Sequence, residues 1–188
     1  MRRRLFIAVN FPENIREKIE RTTENIPEVP GIRFSSEDNW YVTVVFLGEQ
    51  EEEFIPGIIN AMKDAAGDFA SPLVKITNIA YGPSEKAPRM IWLNGDSESS
   101  EKLSLLRDKL NDELFNNKIR FKQEMRSFKT HITLARIQGV QDGDLPSFEN
   151  IKGFPFSFQP QSLDLMESSL SHSGAEYAVL QKVDFKQE

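Results

Sequence analysis

The chain contains no cysteine, and histidine occurs only twice, at positions 131 and 172. The first absence removes disulfides, thiolate nucleophiles and the common structural zinc sites together. The second excludes a histidine-rich metal centre, and no spaced acidic motif of the EF-hand kind replaces it. Long apolar runs are also missing, and nothing approaches the roughly 20 residues that a membrane-crossing helix needs. The start, Met1 to Asn10, is basic and then apolar. Its apolar run ends at Val9, ahead of Asn10, Pro12 and Glu13, and is too short for the core of a secretory signal. A cytoplasmic protein with no membrane partner is expected. A surplus of positive charge is lacking too. The net charge of −6 and pI near 5.1 argue against a protein that grips long nucleic acid along its backbone.

What is present is the composition of an ordinary globular protein, 39% hydrophobic and 28% charged. The 188 residues suit one compact domain or two small lobes sharing a cleft. Charge is uneven along the chain. Between 118 and 136, Lys118, Arg120, Lys122, Arg126, Lys129 and Arg136 face Glu124 alone. Such a patch on an acidic protein suits a small anion such as a terminal phosphate, although a solvated charged hairpin reads the same way.

Periodicity predicts three helices. The first follows Asn10 as cap, with Ile15, Ile19, Thr22 and Ile26 on one face. The second starts near Glu51–Glu53 and carries Phe54, Ile58, Met62 and Ala65 inward, with Pro56 in its first turn. The third covers about 98–117, capped by Asp96 or Ser97, with Leu103, Leu106, Leu110 and Leu114 as its buried stripe. Strands are predicted near 4–10, 32–35, 40–47, 73–81, 89–94, 119–124, 130–137, 154–158, 162–169 and 176–185. The order lacks the strict alternation of a doubly wound sheet, so the class is α+β.

A short echo links two of these strands. Tyr41-Val42-Thr43-Val44 and His131-Ile132-Thr133-Leu134 share the order ring, β-branched, threonine, aliphatic, ninety positions apart, with Gly48 and Gly139 closing them. Coincidence produces such echoes in strand-like sequence. If the echo is real, two related lobes each donate one strand to a common cleft. Alternate residues of a strand share a face, so Tyr41 pairs with Thr43 and His131 with Thr133. Opening a cyclic phosphate needs a base and an acid on opposite walls and hydroxyl donors for the equatorial oxygens. Histidine suits either end because its pKa lies near the working pH, and no metal is required.

The chain resembles the two-histidine phosphoesterase superfamily, and within it the RNA 2′,3′-cyclic phosphodiesterases, also called 2′-5′ RNA ligases, which carry two His-x-Thr-x motifs. The segments that carry the resemblance are Arg4–Val9, Asn39–Glu49, Pro88–Leu93, Thr130–Arg136, and Leu165–Leu170 with Gly174–Tyr177. It implies one bilobal domain over 1–188, with two pseudo-symmetric antiparallel lobes, helices outside and a central groove. It implies that His131 is the general base, that the residue at position 41 protonates the departing 3′ oxygen, that Thr43 and Thr133 bind the phosphate, and that Arg136 neutralises it. The substrate implied is RNA ending in a 2′,3′-cyclic phosphate, or a small cyclic nucleotide, acted on by a monomer without cofactor or metal. End joining is the reverse activity.

The departure is Tyr41, where the family pattern has histidine. Its pKa near 10 makes it a reluctant acid. A slowed hydrolase is therefore expected, or a phosphate-binding protein that no longer turns over; a plain wall residue is the packing alternative. Strict alternation would put Arg136 on the face opposite His131, so its role requires a bulge or the strand end. His172 is expected in a turn, Trp40 and Trp92 in the core, and Arg89 at an exposed strand end.

Overall fold

In the computed structural model the described residues are 1–171 and 174–186. Nine strands and three helices form there: β1 (Arg2–Val9), α1 (Glu13–Glu24), β2 (Ile32–Phe34), β3 (Val42–Glu51), α2 (Ile55–Gly67), β4 (Val74–Gly82), β5 (Met90–Gly95), α3 (Ser97–Asn116), β6 (His131–Ile137), β7 (Phe156–Phe158), β8 (Ser162–Ser171) and β9 (Gly174–Asp184). They build two antiparallel sheets, in the orders β3-β1-β8-β9 and β2-β6-β5-β4-β7. Each sheet mixes early and late strands, which ties both ends of the chain into the fold. The α+β expectation holds.

The helices form where apolar spacing demands burial. Ile15 and Ile19 of α1, Ile58 and Met62 of α2, and the leucine stripe of α3 all enter one core with the inward residues of both sheets. Asp96 caps α3 by accepting the Ser99 backbone N–H at 2.8 Å, which satisfies one of the orphan donors at a helix start. Three expectations fail. Asn10 does not cap α1, whose cap position is Pro12 without a side-chain bond; its amide is engaged by the Asp164 carboxylate instead. Phe54 is 39% exposed, because it ends a separate 3₁₀ turn ahead of α2. No strand forms at 119–124; only Ile119 there is buried, and the polar residues after it run as a loop into β6.

The sheets turn one face to the core and leave the other free. On the first sheet that free face carries Phe6, Ala8 and Met166, with Tyr41 and Tyr177 packed on them. On the second it carries His131, Thr133 and Trp92. Strand β3 of the first sheet touches β6 of the second.

Candidate active site

The two echoing strands share more than four residues. From Tyr41 to Leu47 and from His131 to Ile137, burial runs in one order: half-buried, buried, half-buried, buried, buried, exposed, buried. The doubled buried pair marks a bulge in each. Opposite β1, Ile7 pairs with Val45 and Ala8 with Thr43, so Val44 is the extra residue. Opposite β5, Ile91 pairs with Ala135 and Trp92 with Thr133, so Leu134 is extra. An extra residue shifts the alternation by one. Arg136 therefore emerges on the face of His131 and Thr133, and Phe46, 61% exposed, takes the matching place beyond Tyr41 and Thr43.

His131 is half-buried. Its Nδ1 lies 2.7 Å from the Lys129 carbonyl oxygen. A carbonyl only accepts, so Nδ1 carries the proton and Nε2 keeps its lone pair. Burial holds the His131 pKa below its usual 6.5, against the opposite pull of the Lys129 carbonyl and the Glu124 carboxylate. One ring face is covered by Trp92, with centroids 4.2 Å apart and planes at 36°. Trp92 is thus not a core residue as expected but the wall against which the imidazole rests. Gly82 lies behind the indole, where an added Cβ would come within 2.3 Å of Trp92 ring carbons. The Trp92 Nε1 is buried without a partner.

Tyr41 sits immediately before β3 in different surroundings. Its ring packs on Phe6 at 4.9 Å and edge-on against Tyr177 at 5.2 Å. Burial, then a hydrogen bond with the Tyr177 hydroxyl, pushes its phenol well above the usual 10, while the Arg136 guanidinium pulls the other way. That last influence is informative because Arg136 belongs to the other sheet, so its charge is felt across the gap between them. Next to Thr43, across Ala8, lies Asp164, fully buried on the same face. Its carboxylate accepts from Asn10 Nδ2 and from Ser162 Oγ, each at 2.5 Å.

The structure thus gathers Tyr41, Thr43, His131, Thr133 and Arg136 on the two free sheet faces. It does not gather the basic segment. Lys118 and Arg120 line a separate hollow of about 630 Å³ with Arg2, Glu49 and Glu51, and Arg126 is paired with Glu124 at 2.5 Å. A second hollow of about 440 Å³ is walled by Glu20, Glu24, Glu28, Glu37 and the buried Trp40. Neither hollow is lined by Tyr41, Thr43, His131, Thr133 or Arg136. His172 lies outside the described residues. Arg89 is exposed ahead of β5. Sequence reasoning missed Trp92 as the partner of the imidazole, Tyr177 as the partner of the phenol, and Arg33, which stands opposite Arg136. None carries a local motif; each is brought in by cross-strand pairing or packing. Among the described residues no cluster of histidine, aspartate and glutamate could hold a metal ion, and no helix is long and apolar enough to cross a membrane.

Two antiparallel lobes, helices outside and matched bulged strands facing one groove define the bilobal fold of the two-histidine phosphoesterases. The chain belongs to the LigT like phosphoesterase family, whose model matches residues 9–92 and 95–177. Among its curated relatives, the RNA 2′,3′-cyclic phosphodiesterase of Methanocaldococcus jannaschii is 29% identical over 95% of this chain and 99% of its own. The protein of that name from Thermotoga maritima is 26% identical over 97% and 96%. Among solved structures, one from Thermus thermophilus superposes with a TM-score of 0.81 at 25% identity, covering 97% of each chain. E. coli LigT complexed with 3′-AMP gives 0.72 at 26%, covering all of both chains.

Proposed function

We propose that this protein hydrolyses 2′,3′-cyclic phosphate ends of RNA to 2′-phosphates. The observation that carries the reading is the pair of unlike rings on matched strands. His131 is held neutral with Nε2 free, and Tyr41 is held protonated. Titratable groups whose surroundings push them apart take base and acid roles. In this reading His131 Nε2 removes a proton from water as its oxygen attacks phosphorus. The bond from phosphorus to the 3′ oxygen breaks in line, and that oxygen takes the Tyr41 proton. Thr43 and Thr133 hydrogen-bond the equatorial oxygens, and Arg136 offsets their growing charge. The proton left on His131 returns to Tyr41 through solvent, which closes the cycle without a metal. A 5′-hydroxyl in place of water would join two ends by a 2′-5′ linkage.

The activity of the relatives, as their names give it, supports the reaction class, and the strand match supports the residue roles. A second reading, capture of RNA ends without turnover, is favoured by one feature: burial and Tyr177 both hold the Tyr41 proton in place. Incubating an oligonucleotide that ends in a 2′,3′-cyclic phosphate with the protein and EDTA, and resolving the ends formed, separates the two. Slow appearance of 2′-phosphate alone supports hydrolysis. An unchanged cyclic end after prolonged incubation, with the oligonucleotide still bound, supports capture.

A further inference from the structure

The carbonyl that fixes the His131 tautomer belongs to Lys129, in a segment that is neither helix nor strand from 119 to 130. Backbone outside a ladder has nothing of its own to keep a carbonyl in place, and Arg126, Ser127 and Lys129 are exposed. The anchors come from α3. Arg107 Nη1 donates to the Arg126 carbonyl at 3.1 Å, and its guanidinium lies over the Phe128 ring, 5.6 Å from the centroid. Two turns back along the same helix face, Ser100 Oγ accepts the Thr130 N–H at 3.1 Å. The Gly95 N–H donates to the Thr130 carbonyl at 2.9 Å. Lys129 is thus tied down on both sides, through Arg126 and Phe128 before it and Thr130 after it. The guanidinium is itself held: Nη2 donates to Ser104 Oγ at 3.1 Å, and Nε and Nη2 each donate to the Asp108 carboxylate at 3.2 Å. Its helix is a firm support, because the leucine stripe of α3 is fully buried.

An imidazole proton moves between the two ring nitrogens unless a fixed acceptor keeps it on one of them. With the Lys129 carbonyl free to leave Nδ1, the proton would spend part of its time on Nε2, and an Nε2 that carries it takes no proton from water. The acceptor is a backbone group, so the hold has to act on the segment rather than on the Lys129 side chain. Resting on the reading of His131 as general base, we infer that Arg107 is a positioning residue for that base: by clamping 126–128 to α3 it keeps the Lys129 carbonyl on Nδ1 and leaves the Nε2 lone pair for water.

The test compares the full chain with Arg107→Met, which keeps an unbranched stem and removes every donor, and with Arg107→Lys, which keeps a cation and a donor. The ring nitrogens of His131 are followed by nitrogen NMR at neutral pH, with His131→Ala separating their signals from those of His172. In the native chain Nδ1 should resonate as a protonated nitrogen and Nε2 as a bare one. In Arg107→Met the two shifts are expected to converge. On an oligonucleotide ending in a 2′,3′-cyclic phosphate, kcat should fall about tenfold with KM changed by less than about twofold. Arg107→Lys should restore part of both the separation and kcat. A merely structural tie lowers the urea midpoint and leaves the shifts apart; that result in folded Arg107→Met overturns the inference, as does a native kcat beside converged shifts. If Arg107→Met does not fold, Arg107→Lys decides: partly converged shifts support the clamp, and native shifts overturn it. If the native chain turns over no cyclic phosphate but the shifts converge in Arg107→Met, the hydrolase reading fails and the hold on His131 stands. Turnover by the native chain with native shifts in Arg107→Met keeps the hydrolase reading and removes the clamp.

Discussion

At the scale of single residues, the two ring environments set the pH behaviour. The folded His131 titrates below its usual 6.5, so the base form is already complete at neutral pH and is lost only as pH falls through that lowered value. Tyr41 titrates above its usual 10, so the acid form survives alkaline pH. The rate should hold a plateau from near 6.5 to beyond 10, with its acid limb below 6.5 and absent in His131→Ala; an acid limb above 6.5 contradicts the assignment. Tyr41→His should raise kcat by up to roughly 10²- to 10⁴-fold, the worth of a well-matched general acid, and introduce an alkaline limb near neutral pH. The Trp92 wall makes a separate prediction. Trp92→Leu and Gly82→Ala remove or displace the indole, and misplacement of a catalytic ring costs up to about 10² in rate. In both, the imidazole resonance of His131 should lose its ring-current shift. In Trp92→Leu its titration should also move up toward 6.5 as water gains access. Unchanged His131 spectra in both variants would show that the stacking has no part in holding the base.

At the scale of elements, the helical stripes were readable because burial at a period of 3.6 is imposed locally and the apolar residues record it. Leu106 and Leu110 of α3 are fully buried, so Leu110→Ala should cost about 2–5 kcal/mol in urea unfolding, cavity included. Asp96→Ala, which removes only the cap on the Ser99 N–H, should cost about 1 kcal/mol. A reversal of that order would show that α3 is held by its ends rather than by its face. Strands were less readable. The 119–124 segment has the composition of a strand but no neighbour to pair with, and a strand exists only as one side of a ladder. The bulges at Val44 and Leu134 were invisible for the same reason, since an extra residue is extra only against a partner strand. Hence strict alternation put Arg136 on the wrong face, and the pairing with β5 returned it to the groove.

At the scale of the whole molecule, the proposed site draws on both lobes, so a ligand that binds it should stabilise both together. At about one hundred times its dissociation constant, adenosine 2′-phosphate should add roughly 2.7 kcal/mol. For a chain of this length that raises Tm by roughly 5–10 °C in a single transition, an effect that Arg136→Gln should diminish. Two transitions, of which only one moves, would argue against a shared site. The residue types that could do chemistry were legible from the chain alone. With two histidines and no cysteine the choice of base was narrow, and the repeated ring-x-Thr pattern placed Tyr41 and His131 ninety positions apart in matching strands. The class of fold followed from the order of periodic segments. Which groups stand around those rings was settled only when strands from distant parts of the chain paired. The contacts of Trp92 with His131, of Tyr177 with Tyr41, of Asp164 with Asn10 and of Arg33 with Arg136 all join residues with no local pattern between them. Burial, and with it the opposite pKa shifts of the two rings, is a property of packed neighbours and not of residue identity.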